Sequence, residues 1–143
     1  MYYNFLPGWH DGKYCDLPAE PLFTFGEGIG YSAFAYSALE MDEERLTASV
    51  RVRNTGCVAG TETVQAYMRD VVSSVMTPVK QLIAFRQVTL APGEEQTVSF
   101  CFSREDFSLV NREGRRVTEP GEFVVMIGHS AKDEDLLKTT FRL

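Results

Sequence analysis

Apolar and polar residues alternate along much of the chain between residues 46 and 102. In Leu46–Asn54 the even positions are apolar up to Val52 and the odd positions are polar, which predicts a β-strand with one buried face. Thr97–Phe102 begins with the same alternation. Turn sequences lie between such stretches, because glycine accepts a positive φ and proline presets a turn. These turns are Asn54-Thr55-Gly56, Ala59-Gly60 and Pro92-Gly93-Glu94. No cluster of catalytic residue types falls among them, so this region predicts a scaffold without an active site.

The same reading extends to the rest of the chain and predicts an all-β fold. Strands are predicted at Ala33–Leu39, Leu46–Asn54, Glu62–Arg69, Lys80–Leu90, Gln96–Ser103, Phe107–Asn111, Glu122–His129 and Leu137–Leu143. Short strands with frequent turns are typical of an antiparallel β-sandwich. A single helical turn is predicted at Ser103–Asp106, where a serine N-cap precedes two acidic residues. If Phe85, Val88 and Leu90 all face inward, their strand carries a bulge between Phe85 and Val88.

Size and charge narrow the classes of partner. A chain of 143 residues can form one compact domain that buries about 68% of its unfolded surface. The net charge of −6 repels polyanions, and no stripe of Lys and Arg is present to follow a phosphate backbone. Apolar runs are far shorter than the roughly 20 residues that span a bilayer, and the first residues do not resemble a signal peptide. We therefore expect neither nucleic-acid binding nor membrane insertion nor export.

The three cysteines give weak information about the cellular compartment. Cys15, Cys57 and Cys101 cannot all pair with one another, and none lies in a C-x-x-C motif. We interpret them as free thiols, which mildly favours a reducing, cytoplasmic environment, although one disulfide stays open if two sulfurs meet in the fold.

The first 30 residues form a separate segment rich in aromatic residues, proline and glycine. Proline and glycine disfavour a helix, whereas the aromatic side chains favour burial. We predict an extended arm over residues 1–30, linking from a preceding domain, and a sandwich over residues 31–143. The arm's candidate residues for docking on a neighbouring domain are Tyr3, Trp9, Tyr14, Phe23 and Phe25. Stacking on sugar rings is the alternative, with Trp9, Tyr14 or Tyr67 as the stacking faces.

No catalytic, metal or cofactor site is predicted. The carboxylate pairs lie in predicted turns or strand ends, where solvated charge is their usual role. His129-Ser130 has no nucleophile elbow or oxyanion motif beside it. The glycines of Gly26–Gly30 are not followed by the Lys-Ser/Thr of a phosphate loop. The group with metal-ligand chemistry matches no zinc spacing and consists of His10, Asp11, Cys15 and Asp16.

A series of motifs resembles one known domain in order along the chain. Residues 23–34 resemble the P-F-G-x-G-L-S-Y-T-x-F stretch that introduces the C-terminal fibronectin type III-like domain of glycoside hydrolase family 3 enzymes, although Thr24 replaces proline and Ile29-Gly30 replaces Leu-Ser. The motifs that follow are Val52-Arg53-Asn54-Thr55-Gly56 with Ala59-Gly60, Val64-Gln65-Ala66-Tyr67, Pro78-Val79-Lys80-Gln81-Leu82, Phe85, Leu90-Ala91-Pro92-Gly93-Glu94 and Glu119-Pro120-Gly121-Glu122-Phe123. Together they cover essentially the whole chain.

This resemblance implies a parent β-glucosidase, or alternatively a β-xylosidase. The catalytic Asp and Glu of such an enzyme lie in domains that precede this one, so no catalytic residue is carried over, and the two-carboxylate reaction needs no cofactor. The expected role is a non-catalytic accessory domain that packs on and stabilises the catalytic domains. Two alternatives remain open, a carbohydrate-binding accessory module with polysaccharide as its partner and a free-standing protein-interaction module.

Overall fold

The computed structural model describes residues 21–143, and these fold into two packed antiparallel sheets. The strands are β1 (Phe34–Asp42), β2 (Thr47–Asn54), β3 (Gly60–Asp70), β4 (Gln81–Leu90), β5 (Glu95–Cys101), β6 (Leu109–Val110), β7 (Arg116–Val117), β8 (Glu122–Gly128) and β9 (Leu136–Arg142). One sheet has the order β1-β2-β5 and the other the order β4-β3-β8-β9, while β6 and β7 form a separate short hairpin. The predicted all-β sandwich is confirmed.

The three-stranded sheet follows the alternation in the sequence. Val50 pairs with Val98 and Val52 with Tyr36 across the ladder. Ala48, Val50 and Val52 are completely buried and alternate with the partly or fully exposed residues of β2. Period-2 patterning therefore places one face of this sheet in the core.

The inner face of the four-stranded sheet supplies the other half of the core. Val64 and Ala66 of β3 and Val125 and Ile127 of β8 are completely buried there. Aromatic rings close one end, where the centroid of Phe107 lies 5.1 to 5.6 Å from those of three other rings in edge-on contacts. These rings belong to Phe102, Phe123 and Phe141.

The predicted helical turn is present as a 3₁₀ turn over Arg104–Phe107. The backbone N–H and hydroxyl of Ser103 both donate to Asp106 Oδ2, at 2.7 and 2.9 Å. A serine at the N-cap with an acid three residues later is typical of a helix start. The turn delivers Phe107 into the core.

The bulge in β4 lies earlier than predicted, because Phe85 does not face inward. Phe85 pairs with Gln65, and its side chain is 66% exposed on the outer face. The register changes from Ala66 opposite Ala84 to Tyr67 opposite Leu82, so residue 83 is the extra residue. A further difference is the predicted strand Phe107–Asn111, of which only Leu109–Val110 is a strand.

One buried asparagine joins both sheets. The Asn54 side-chain N–H groups donate to the carbonyl oxygens of Val58 at 2.8 Å and Leu90 at 2.9 Å. Its Oδ1 accepts from Ser32 Oγ and from the backbone N–H of Gly56, both at 2.9 Å. All four hydrogen-bonding positions of this completely buried amide are therefore satisfied.

Candidate docking surface

The outer face of the four-stranded sheet is apolar, like its inner face. Tyr67 stands between Leu82 and Met126 across three neighbouring strands, and it alternates with the core residues of β3. A second buried cluster forms on this side, distinct from the inter-sheet core, from Tyr67, Met126, Ala131 and Leu136 with Leu82 and Val124 packed against it. An antiparallel sheet that is covered on one side is usually polar on the other. This sheet is covered on both sides, because Ala131 in the stretch after β8 packs on part of the outer face. We call this outer face the docking face.

A tight turn of the segment before β1 lies against the docking face. We call Thr24–Glu27 the lead-in turn. Its backbone closes through the N–H of Glu27, which donates to the carbonyl of Thr24 at 3.1 Å. The carboxylate of Glu27 in turn accepts from the N–H and hydroxyl of Thr24, at 2.9 and 3.1 Å. Gly26 has a φ of +80°, a conformation that glycine adopts without steric cost.

A glutamine from β3 fixes the turn to the sheet. Gln65 Nε2 donates to the carbonyl oxygens of Gly26 at 3.2 Å and His129 at 2.5 Å. The hydroxyl of Tyr67 donates to Gln65 Oε1 at 2.5 Å, which orients the amide. The approach is close, since a Cβ on Gly26 would lie 2.0 Å from Gln65 Oε1.

The stretch after β8 supplies further attachments. The N–H of Ala131 donates to the carbonyl of Phe25 at 2.8 Å. The hydroxyl of Thr24 donates to Ser130 Oγ at 3.3 Å. Ser130 is completely buried and donates to Asp135 Oδ2 at 2.6 Å. The lead-in turn is therefore part of the sandwich, although it precedes the first strand.

The residues around this turn expose much apolar surface. Phe23 is 62% exposed, Phe25 39% and Ile29 94%. Leu22 and Tyr31 are also almost fully exposed. Isolated exposed apolar residues are ordinary, but a contiguous group marks a surface for association.

The predicted site residues divide into three groups. Phe23 and Phe25 are exposed next to the outer face, and their docking role stays a prediction. Tyr3, Trp9 and Tyr14 fall outside the described residues, so their role stays a prediction. Tyr67 is completely buried, and the prediction that it offers a face to a sugar ring is wrong.

Sequence reasoning missed one exposed member of this surface and one buried residue. Phe85 is exposed on the docking face, where it pairs with Gln65 of β3. Paired residues of neighbouring strands point to the same face, so the outward orientation of Gln65 was the available signal. Lys80 is almost completely buried, and its Nζ donates to the carbonyl of Ala131 at 2.7 Å and lies 3.0 Å from Asp133 Oδ2. Lysine is seldom buried, so no local pattern predicts this position.

Asp133 is a shared acceptor for two lysines. Burial alone would raise the pKa of its carboxyl group, but hydrogen bonds and charge from Lys138 and Lys80 hold this pKa below its usual range. Its Oδ1 accepts from Lys138 Nζ at 2.5 Å. This pair of cations fixes the stretch 130–135 against β9 and against the residue that precedes β4.

A half-buried group of titratable residues lies beside the same stretch. His129 Nε2 is 3.2 Å from Asp135 Oδ2, and the His129 ring lies 6.2 Å from that of Tyr36. Burial raises the pKa of Glu62, an effect that the nearby His129 partly offsets. Burial and the neighbouring Glu62 also raise the pKa of Tyr36.

These groups are not arranged for catalysis. Ser130 donates to Asp135 and not to the imidazole of His129, so a nucleophile and its base are not paired. Within residues 21–143 no group of three or more His, Cys, Asp and Glu side chains could hold a metal ion. The candidate group of His10, Asp11, Cys15 and Asp16 lies outside the described residues. Cys57 and Cys101 are free thiols, and no helix in the described part is long and apolar enough to cross a membrane.

Comparison with protein families and curated proteins identifies the domain. Residues 62–131 match the family model of the fibronectin type III-like domain. A β-xylosidase of Formosa agariphila is 40% identical over 131 residues, which are 87% of this chain and 18% of that protein. The thermostable β-glucosidase B of Acetivibrio thermocellus is 42% identical over 121 residues, which are 80% of this chain and 16% of that protein. The chain thus spans less than a fifth of these relatives.

Solved structures agree with the sequence matches. A β-glucosidase involved in saponin metabolism from intestinal bacteria superposes with a TM-score of 0.93 at 39% identity, over 99% of this chain and 20% of that one. A β-glucosidase from Listeria innocua, in complex with glucose, gives 0.86 at 36% identity, over 99% of this chain and 22% of that one. Because these matches take in only a small part of each enzyme, the chain is not the catalytic part. It belongs to the fibronectin type III-like domains that form the C-terminal part of glycoside hydrolase family 3 β-glucosidases and β-xylosidases.

Proposed function

We propose that this domain packs on the catalytic domains of a β-glucosidase-like or β-xylosidase-like polypeptide and stabilises them. The observation that carries the proposal is a group of exposed aromatic side chains around the outer face of the four-stranded sheet, since the cluster around Tyr67 is already buried within the chain. The exposed Phe23, Phe25 and Phe85 lie on or next to the outer face. A contact of this kind resembles an ordinary inter-domain interface, which buries on the order of 600–1,500 Å².

The lead-in turn favours this role over that of an independent module. Its hydrogen bonds to Gln65, Ser130 and Ala131 fix the direction in which the preceding chain leaves the sandwich. A fixed exit direction orients a preceding domain on the docking face, whereas a flexible linker would leave its orientation open. The turn therefore supports rigid attachment to a neighbouring domain.

The proposal is tested in the longer polypeptide that it requires. Removing this domain should lower the thermal midpoint of the catalytic part and its hydrolysis of an aryl β-glucoside or β-xyloside after heating. Phe25→Ser and Phe85→Ser should each lower the thermal midpoint of the catalytic part by a few degrees. Val58→Ser is a matched control, since Val58 is an exposed apolar residue in the loop between β2 and β3. An unchanged midpoint after removal of the whole domain would contradict the proposal.

The carbohydrate-binding alternative now rests on Trp9 and Tyr14. Co-sedimentation of the chain with insoluble β-glucans and xylans tests it, with Trp9→Ala beside the unaltered chain. Saturable binding that Trp9→Ala abolishes would favour this second function. Absence of binding to every polymer would leave domain stabilisation alone.

A further inference from the structure

A groove opens at the end of the sandwich formed by the β3–β4 loop, away from the lead-in turn. One wall is the loop, residues 71–80, and the other is the stretch Glu105–Val110. Two adjoining hollows of about 410 and 550 Å³ make up this loop groove. Both are lined by Asp70, Val75, Met76, Thr77 and Pro78.

The loop presents apolar side chains while its backbone is held in place. Val72 is 80% exposed, and Met76 is also largely exposed. Ser73 Oγ donates to the carbonyl of Val75 at 2.6 Å. The backbone N–H of Ser74 donates to Glu119 Oε2 at 2.9 Å, and the Ser74 hydroxyl donates to the other oxygen of this carboxylate. The loop is therefore preorganised to receive a partner, which reduces the entropy lost on binding.

Between the two hollows lies a buried carboxylate without a counter-charge. Asp70 is only 7% exposed, and its Oδ1 accepts from the backbone N–H of Val72 at 3.2 Å. Burial raises the pKa of Asp70, and the negative charge of Glu119 adds to the rise. No Lys, Arg or His of the described chain lies within ion-pair distance of Asp70. The basic residues that line the groove, Arg69, Arg112 and Arg116, are exposed to solvent.

A buried carboxylate of this kind costs free energy unless a cation compensates it. The exposed Val72 and Met76 beside it favour apolar contacts. The relatives have most of their length outside the segment that this chain matches, so a segment of the same polypeptide is available to fill the groove. These three features together specify the chemistry of the occupant.

We propose that the loop groove is a second docking site, which binds a segment of the preceding catalytic part through a Lys or Arg side chain that pairs with Asp70 and is flanked by apolar residues that contact Val72 and Met76. This inference rests on the docking function proposed above. It adds a contact at a different edge of the sandwich and a defined partner chemistry.

The test compares one substitution in two settings. Asp70→Asn keeps the acceptor for the N–H of Val72 and removes only the charge. In the 143-residue chain at neutral pH it should leave the thermal midpoint unchanged or raise it, because a buried unpaired charge is removed. In the longer polypeptide it should lower the midpoint of the catalytic part by a few degrees, because the ion pair across the interface is lost. Val72→Ser should likewise act only in the longer polypeptide.

Glu43→Gln is the control, since Glu43 is an exposed acid outside the groove, and it should have the same small effect in both settings. Equal effects of Asp70→Asn in the two settings would overturn the inference. Failure of this inference is distinguishable from failure of the docking function itself. If the docking function fails, Phe25→Ser and removal of the whole domain will also leave the thermal midpoint of the catalytic part unchanged.

Discussion

The side-chain amide of Gln65 donates to the carbonyl oxygen of Gly26 at 3.2 Å. This bond joins β3, an inner strand of the four-stranded sheet, to the lead-in turn, which precedes β1. Because a Cβ on Gly26 would meet the Gln65 amide at 2.0 Å, the contact depends on a residue without a side chain. The position of the lead-in turn is therefore encoded in the sequence by a single glycine.

Gly26→Ala should release this turn from the sheet. The substitution combines the overlap with Gln65 and a φ of +80°, and the backbone strain alone costs about 1–2 kcal/mol. Hydrogen exchange at the amide of Ala131, which donates to Phe25, should speed up more than exchange in the core strands. Gly28→Ala is the matched control, since nothing lies within 4 Å of its Cβ position. Equal exchange in the two variants would contradict the role assigned to Gly26.

Asn54→Ala should destabilise the whole sandwich. The substitution leaves the buried carbonyl of Leu90 without its side-chain donor, whereas the carbonyl of Val58 keeps the hydroxyl of Ser32. An unsatisfied buried group costs about 1–3 kcal/mol. Urea unfolding should show a loss of at least ~2 kcal/mol. Asn111→Ala, which removes an acceptor for two backbone N–H groups in an exposed turn, should lose much less. A similar loss for both variants would show that burial is not the cause.

Glu62→Gln should stabilise the domain at neutral pH. The folded-state pKa of Glu62 is raised by burial, so the folded protein binds a proton more tightly than the unfolded chain. The stability from this group is fully present below the unfolded-state pKa and is lost as pH rises through the higher folded-state pKa. The variant should therefore gain stability over the parent at pH 7 and lose that advantage in acid. Urea unfolding at several pH values measures this, and a constant difference across pH would contradict it.

Lys80→Met should cost about 1–2 kcal/mol in unfolding free energy. The substitution removes a donor to the carbonyl of Ala131 and a charge beside Asp133, but Asp133 keeps Lys138 and contact with solvent, which limits the loss. Lys138→Met, at the exposed partner of the same carboxylate, should cost less than ~0.5 kcal/mol. The reverse order in urea unfolding would show that the buried lysine does not stabilise the 130–135 stretch.

The core strands were predictable because their apolar residues recur with the period of a strand. Val50, Val52 and Val98 all lie where alternation placed them. The bulge near residue 83 was misplaced, since the sequence shows Phe85 as apolar but not that it faces outward. Whether an apolar side chain of β4 belongs to the inner or outer face depends on what covers the second face, and that information is not local.

The proposed docking surface was predictable only in part. The aromatic residues near residue 25 signalled a segment that needs a surface, and Phe23 and Phe25 are indeed exposed. The burial of Tyr67 and Lys80 was not predictable, because each depends on residues 130–135, some 50 or more positions away in sequence. Long-range contacts of this kind leave no periodic pattern around either residue.

Hydroxyl-radical footprinting tests the central claim most directly, by comparing the 143-residue chain with the longer polypeptide that contains it. Docking through the outer face predicts that labelling of Phe23, Phe25 and Phe85 falls sharply in the longer polypeptide. Equal labelling of these three residues in both would contradict the proposed docking function.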